Sequence, residues 1–319
     1  MSTEGGTKAV VAALLANLGI AVTKLLAWVL THSSSMLAES IHSLADSGNQ
    51  ALLLLGGKRA KRGATPQHPF GFGRERYIYA FIVSIVLFSV GGLFACYEGY
   101  HKIEETLAGH PNTLLESQWW WVPIAVLVVA IGLETASFRT AIRESRIAKG
   151  KASWTEFVRR AKAPELPVVL LEDLAALLGL ILALCGVGLT LLTGNALFDG
   201  GFTLAIGVLL VVVAIVLAVE TKSLLLGEAA SPEHIAAIEE AISRTEHVDR
   251  IIHMKTLHLG PEELLVAAKI AVAAEDNADK VTAAINNAEA GIRKAVPIAR
   301  SIYLEPDIYR PRTDETATP

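Results

Sequence analysis

Apolar and polar positions alternate along this chain in two different rhythms. From Ala9 to Leu226 the rhythm is long. Six apolar runs, Ala9–Leu30, Ser35–Gly57, Tyr77–Tyr97, Trp119–Phe138, Leu166–Leu192 and Phe202–Leu226, are separated by polar stretches. Each is close to the ~20 residues a helix needs to cross a bilayer, so the pattern predicts six transmembrane helices. Asn17 and Lys24 interrupt the first run, and the fourth opens on Trp119-Trp120-Trp121, which suits an interfacial aromatic belt. The second run scores weakest in hydropathy because one of its faces is polar.

After Gly227 the rhythm shortens to that of a soluble domain. Ser231-Pro232-Glu233 reads as a helix start, with Ser as cap and Pro at the first helical position. That helix runs to about Arg244 with Ile235, Ile238 and Ile242 on one stripe. Arg250–Leu259 reads as a strand, Gly260-Pro261-Glu262 as a turn and Leu264–Val272 as a second strand. Ala278–Ala295 reads as a helix with Val281, Ile285 and Ile292 facing inwards, and Ile298–Leu304 as a last strand. The order α-β-β-α-β predicts a small ferredoxin-like α+β domain. The expected organisation is therefore an α-helical membrane protein: residues 1–228 a six-helix transmembrane transport domain, 229–309 a cytoplasmic ferredoxin-like domain, and 310–319 a disordered tail without apolar pattern.

Charge orients the helices. One pair of loops carries Lys58, Arg59, Lys61, Arg62, Arg74 and Arg76, and Arg139, Arg143, Arg146, Lys149, Lys151, Arg159, Arg160 and Lys162. On the opposite side the turn at Thr31–Ser34 and the stretch Thr193–Gly201 have no Lys or Arg, and His101–Gln118 has Lys102 alone. The positive-inside rule places the basic loops in the cytoplasm. The expectation is an integral, multi-pass protein of a bacterial inner or cell membrane with both termini cytoplasmic. The first apolar run lacks a small-residue cleavage signal and reads as a retained helix. Composition agrees: 52% of residues are apolar and 19% charged, too apolar for an ordinary soluble domain. Cys96 and Cys185 both lie in apolar runs, which argues against a disulfide framework and a thiolate metal cluster.

The candidate chemistry sits inside the apolar runs. Glu39, His42 and Asp46 stand at i, i+3 and i+7 of the second run, on one helix face. Ionisable groups at membrane depth are costly and tend to face a protein interior or a watery path. The fifth run carries Glu172-Asp173, either as a helix end kept wet at the interface or facing His42 and Asp46 across a helix pair. Imidazole with carboxylates suits Zn²⁺ and other borderline first-row cations. The lack of cysteine argues against Cu⁺, and the histidine against a dedicated Mg²⁺ or Ca²⁺ site. No His-Glu-x-x-His or Gly-x-Ser-x-Gly segment is present, and Gly71-Phe72-Gly73 lacks the context of a phosphate loop. The reading is thus not an enzyme: it holds no catalytic residue, no cofactor and no nucleic-acid partner.

Three segments resemble one family, the cation diffusion facilitators. Leu37 to Asp46 is similar to its second-helix motif, with His or Asp four residues before Asp. His68-Pro69-Phe70-Gly71-Phe72-Gly73-Arg74-Glu75 is similar to its loop signature, and Asp173 lies six residues before Gly179 as in its fifth-helix site. The Glu172-Asp173 pair and Leu225-Leu226-Gly227-Glu228-Ala229 resemble its zinc transporter nine-like branch. The resemblance implies efflux of a divalent metal, most often Zn²⁺, in exchange for protons, by a homodimer in the lipid bilayer. It implies His42, Asp46 and Asp173 as metal ligands. The usual fifth-helix partner position is Val169, so Glu172, Glu39 or water completes the shell, and Mn²⁺, Fe²⁺ or Co²⁺ stand as alternative cargo. A metal sensor or channel is a remoter alternative. Phe72 replaces the second loop histidine, which leaves His68 as a hydrogen-bonding loop residue or an accessory ligand. His253, His258 and Glu305 are accessory candidates in the soluble domain, where Tyr303 replaces the family's histidine.

Overall fold

The structure is a computed structural model that describes residues 3–110, 114 and 118–310, with side chains from Asn17 onward. The chain divides into two compact units, one made of residues 1–61 and 75–222, the other of 62–74 and 223–319.

The first unit is helical. Its elements are α1 (Thr3–Thr31), α2 (Ser34–Ala60), α3 (Glu75–Leu107), α4 (Trp121–Lys149), the short α5 (Trp154–Arg160), α6 (Glu165–Thr193) and α7 (Leu197–Leu226). Among the described residues α3, α4, α6 and α7 are long and apolar enough to cross a membrane. α2 is of similar length, at 27 residues, but its polar face lowers its hydropathy. The described apolar part of α1, Asn17–Thr31, is shorter.

Helix ends follow local chemistry. α4 stops at Gly150 (φ 57°) and α6 at Gly194 (φ 70°), both in the left-handed region that glycine tolerates best. Ser153 caps α5 by accepting from the Glu156 backbone N–H at 3.1 Å. α2 starts on a knot of hydroxyls around buried Asp199 of α7. The carboxylate accepts from Ser34 N and Ser34 Oγ at 3.0 Å, Ser35 Oγ at 2.5 Å and Ser33 Oγ at 3.2 Å. A negative charge there also complements the positive end of the α2 dipole.

Buried side chains such as Met36, Val83, Leu87, Leu127, Leu180 and Leu210 form the core of this unit. Large apolar side chains also stay exposed, for example Leu26, Val129 and Val219, as expected of surfaces that face lipid. α3 and α7 meet through glycines. A Cβ on Gly99 would lie 2.5 Å from Leu204 N and 2.8 Å from Gly200 O, and one on Gly207 2.5 Å from Cys96 N. Backbones approach this closely only where the side chains are missing. Midway, α3 widens into a π-helical turn, Leu87–Leu93, and a Cβ on Gly91 in that turn would come 3.7 Å from His42 Nδ1. Such turns are frequent at functional sites.

The second unit contains α8 (Pro232–Ser243), β1 (Arg250–Gly260), β2 (Glu263–Ala271), α9 (Ala278–Ala295) and β3 (Ala299–Asp307). The sheet runs β1-β2-β3, antiparallel between β1 and β2 and parallel between β2 and β3. Ile238, Ile242, Leu264, Val266, Ile270, Ile292 and Ile302 fill its core. On α9 the buried stripe is Ala284, Ala288 and Ile292, while Val281 and Ile285 are half-buried. Residues 62–74 lie on the β1–β2 hairpin: a Cβ on Gly73 would sit 2.8 Å from Leu259 O. Past Arg310, the tail expected to be disordered lies outside the described residues.

Candidate metal site

α2 supplies the centre. One turn of helix sets His42 Nε2 3.4 Å from Asp46 Oδ2. His42 is buried, Asp46 half-buried. Both ring nitrogens of His42, and Asp46 Oδ1, are sealed from solvent and make no hydrogen bond among the described residues. Buried polar atoms in that state are rare and costly, and here Nε2 and the Asp46 carboxylate face one another. They are the donor atoms a borderline divalent cation takes.

α6 brings Glu172 and Asp173. Both are buried, at 4% and 6% exposure, which removes the reading of a wet helix end. Glu172 Oε1 accepts from Asn49 Nδ2 at 2.5 Å, and Asp173 Oδ2 from Ser137 Oγ at 3.0 Å. Asp46 lies within electrostatic reach of Glu172, Asp173 and Glu134. Among the described residues no three of His, Cys, Asp and Glu are gathered closely enough to hold a metal ion. The acids lie around the His42–Asp46 pair without closing on it, and Glu172 and Asp173 are each bonded to a neutral donor.

Glu39 does something else. Its Oε2 lies 2.9 Å from Lys24 Nζ, and that ammonium also donates to Ser43 Oγ at 2.7 Å.

The accessory candidates of the second unit do not meet. The His68 backbone N–H donates to Thr65 Oγ1 at 3.1 Å, and its ring packs on Phe72 at 4.7 Å. His253 is exposed, whereas His258 is buried with Nδ1 3.3 Å from Gly260 O at the hairpin end. Glu305 pairs with Lys269 at 3.0 Å, as does Asp307. These contacts, the hydrogen bond to Asp307 first, hold Lys269 above its ordinary pKa, and Lys269 holds Asp307 below its own. A lysine from the central strand thus stands where a cation shared by Glu305 and its neighbours would sit.

Four polar residues of the site escaped the sequence reading: Lys24 as more than an interruption, Asn49, Ser137 and Glu134. Glu134 left a usable signal, a lone acid within an apolar run. Asn49 and Ser137 left none, because neutral polar residues are ordinary in helices.

Residues 10–226 match the family profile described as the cation efflux transmembrane domain. The chain is 36% identical over 270 residues to a mitochondrial proton-coupled zinc antiporter of Xenopus laevis, covering 85% of this chain and 47% of that protein. For its Homo sapiens counterpart the figures are 34% over 267 residues, 84% and 46%. For metal tolerance protein C4 of Arabidopsis thaliana they are 27% over 272 residues, 85% and 58%. The chain spans about half the length of these curated relatives. The names correct one expectation. The two antiporters are mitochondrial, which speaks against the bacterial inner or cell membrane expected from the sequence. Loop charge tells which ends share a side but not which membrane they face. The multi-pass membrane reading stands.

Proposed function

The chain belongs to the cation efflux family, the cation diffusion facilitators, in its zinc transporter nine-like branch, and from that premise we propose that it is a proton-coupled antiporter carrying Zn²⁺. The family is one of transporters. The observation that carries the reading is the unsatisfied donor set of His42 and Asp46 within a membrane helix bundle. Asp173 and Glu172 complete the ligand shell when the cation enters and draws them from Ser137 and Asn49. Zinc takes deprotonated ligands, so its binding releases protons and its departure takes them up. The same residues therefore carry both ions in turn, without ATP. Six helices, α1 to α4 with α6 and α7, span the membrane in this reading. Residues 1–228 form the transport domain and 229–309 a ferredoxin-like domain. Two copies of the chain work as a homodimer.

Proteoliposomes loaded with a zinc-sensitive dye test it. Zinc entry should require a pH gradient and be lost in Asp46→Ala. Metal entry indifferent to both the gradient and the substitution overturns the reading. One observation favours a second cargo: Val169 occupies the position of the usual fifth-helix partner, which shifts the set towards carboxylates and so towards Mn²⁺, Fe²⁺ or Co²⁺. Uptake of each metal in parallel decides between them.

A further inference from the structure

Lys24 is the only buried lysine or arginine among the described residues, at 3% exposure. A charge so placed needs a partner, and it has Glu39 at 2.9 Å and Ser43 at 2.7 Å. Glu39 is fully buried and stands one helical turn before His42, on the same face of α2. By position it belongs with the zinc ligands. By contact its Oε2 belongs to α1, while its Oε1 is buried against α6 with no hydrogen-bond partner among the described residues.

α6 is shaped to keep it there. A Cβ on Gly179 would lie 2.8 Å from Glu39 Oε1, so glycine leaves room for the carboxylate. The neighbouring acids are held in another way. Glu172 and Asp173 rest on the neutral donors Asn49 and Ser137, which a cation can displace without stranding a charge. Glu39 rests on an ammonium, which it cannot leave without stranding one. Lys24 also lies within electrostatic reach of His42, Asp46 and Glu134. Five carboxyl groups, Asp46 included, therefore lie around the His42–Asp46 pair, and one of the five is tied to an ammonium. A divalent ion facing all five would be held too tightly to leave, and a carrier must release its cargo.

We propose that Lys24 is a turnover-determining residue that sequesters Glu39 from the transported cation, and that Glu39 is a counter-ion and not a ligand. The inference rests on the zinc-transport reading above, and zinc-uptake kinetics in proteoliposomes, normalised to folded protein, test both separately. Lys24→Met frees Glu39 to bind zinc, so KM and the maximal rate should both fall, each by about tenfold. Glu39→Gln leaves an unbalanced ammonium beside the site, so KM should rise by about tenfold. The double substitution should return KM to within about threefold of the parent, and Lys24→Arg, which keeps the pair, should match the parent. A merely structural pair predicts single substitutions that lose folded protein and shift KM in the same direction or not at all. A ligand role for Glu39 predicts a double substitution no better than Glu39→Gln. Either result overturns the inference. An unsubstituted protein that carries no zinc overturns the transport reading instead.

Discussion

Asp199 and Asp46 are both carboxylates of the helical unit, and the fold treats them in opposite ways. Asp199 is saturated: three serines and a backbone amide donate to it, and its own N–H donates to Thr190 Oγ1 at 3.0 Å. Asp46 has one oxygen without a partner and the other 3.4 Å from a histidine. A saturated acid stabilises the structure that satisfies it, because removing it strands its donors. A starved acid contributes little to folding, and in the transport reading proposed above its open oxygen is kept for the cation. The contrast separates fastening from transport more sharply than burial does, since the fastening acid is the more buried of the two.

The contrast can be broken by substitution. The largest expected effect is on transport. Asp46→Asn should lower zinc uptake by about a hundredfold or more while thermal unfolding in detergent shifts little or upwards, since a costly charge is removed. A large loss of stability would show that Asp46 is a fastener after all. Next comes Asp199→Ala, which strands several buried donors and should destabilise by about 2–4 kcal/mol, read as a clear fall in the unfolding midpoint. Uptake per folded molecule should persist. Smaller still is Glu134→Gln. It removes one charge near Asp46 without removing a ligand, so KM for zinc should rise by about two- to fivefold with little change in maximal rate. The smallest effect lies in the second unit. Lys269 lowers the Asp307 pKa, so the pair stabilises above the ordinary Asp value, and that contribution is lost as pH falls through the lowered value. Asp307→Asn should make the acid side of the stability profile shallower by a small margin, as Asp307 is exposed and its Lys269 partner only half-buried. An unchanged profile would dismiss the pair as energetically silent.

Much of this was legible from the residues. Apolar run length located α3, α4, α6 and α7, and helical spacing placed His42 and Asp46 side by side. The fastening was not legible. The stretch Thr193–Gly201 reads as a loop before the run that opens at Phe202, which puts Asp199 and the pair Gly200-Gly201 outside the helix. α7 instead begins at Leu197, because those glycines remain helical where Gly200 packs on Gly99 and Ile103 of α3. Tertiary contact overrides their low propensity. α4 runs on to Lys149, well past Phe138, since hydropathy marks the end of the membrane and not the end of a helix. Ser153-x-x-Glu156 carried a capping signal for α5 that the apolar reading passed over. Asn49, Ser137 and Lys269 act through partners on other elements, which only the packed structure supplies.

The glycine seam between α3 and α7 has a mechanical meaning. Two rods in backbone contact at Gly99, Gly200 and Gly207 have no layer of side chains to shear against each other. A side chain added at any of the three would have to wedge the two helices apart along their whole contact.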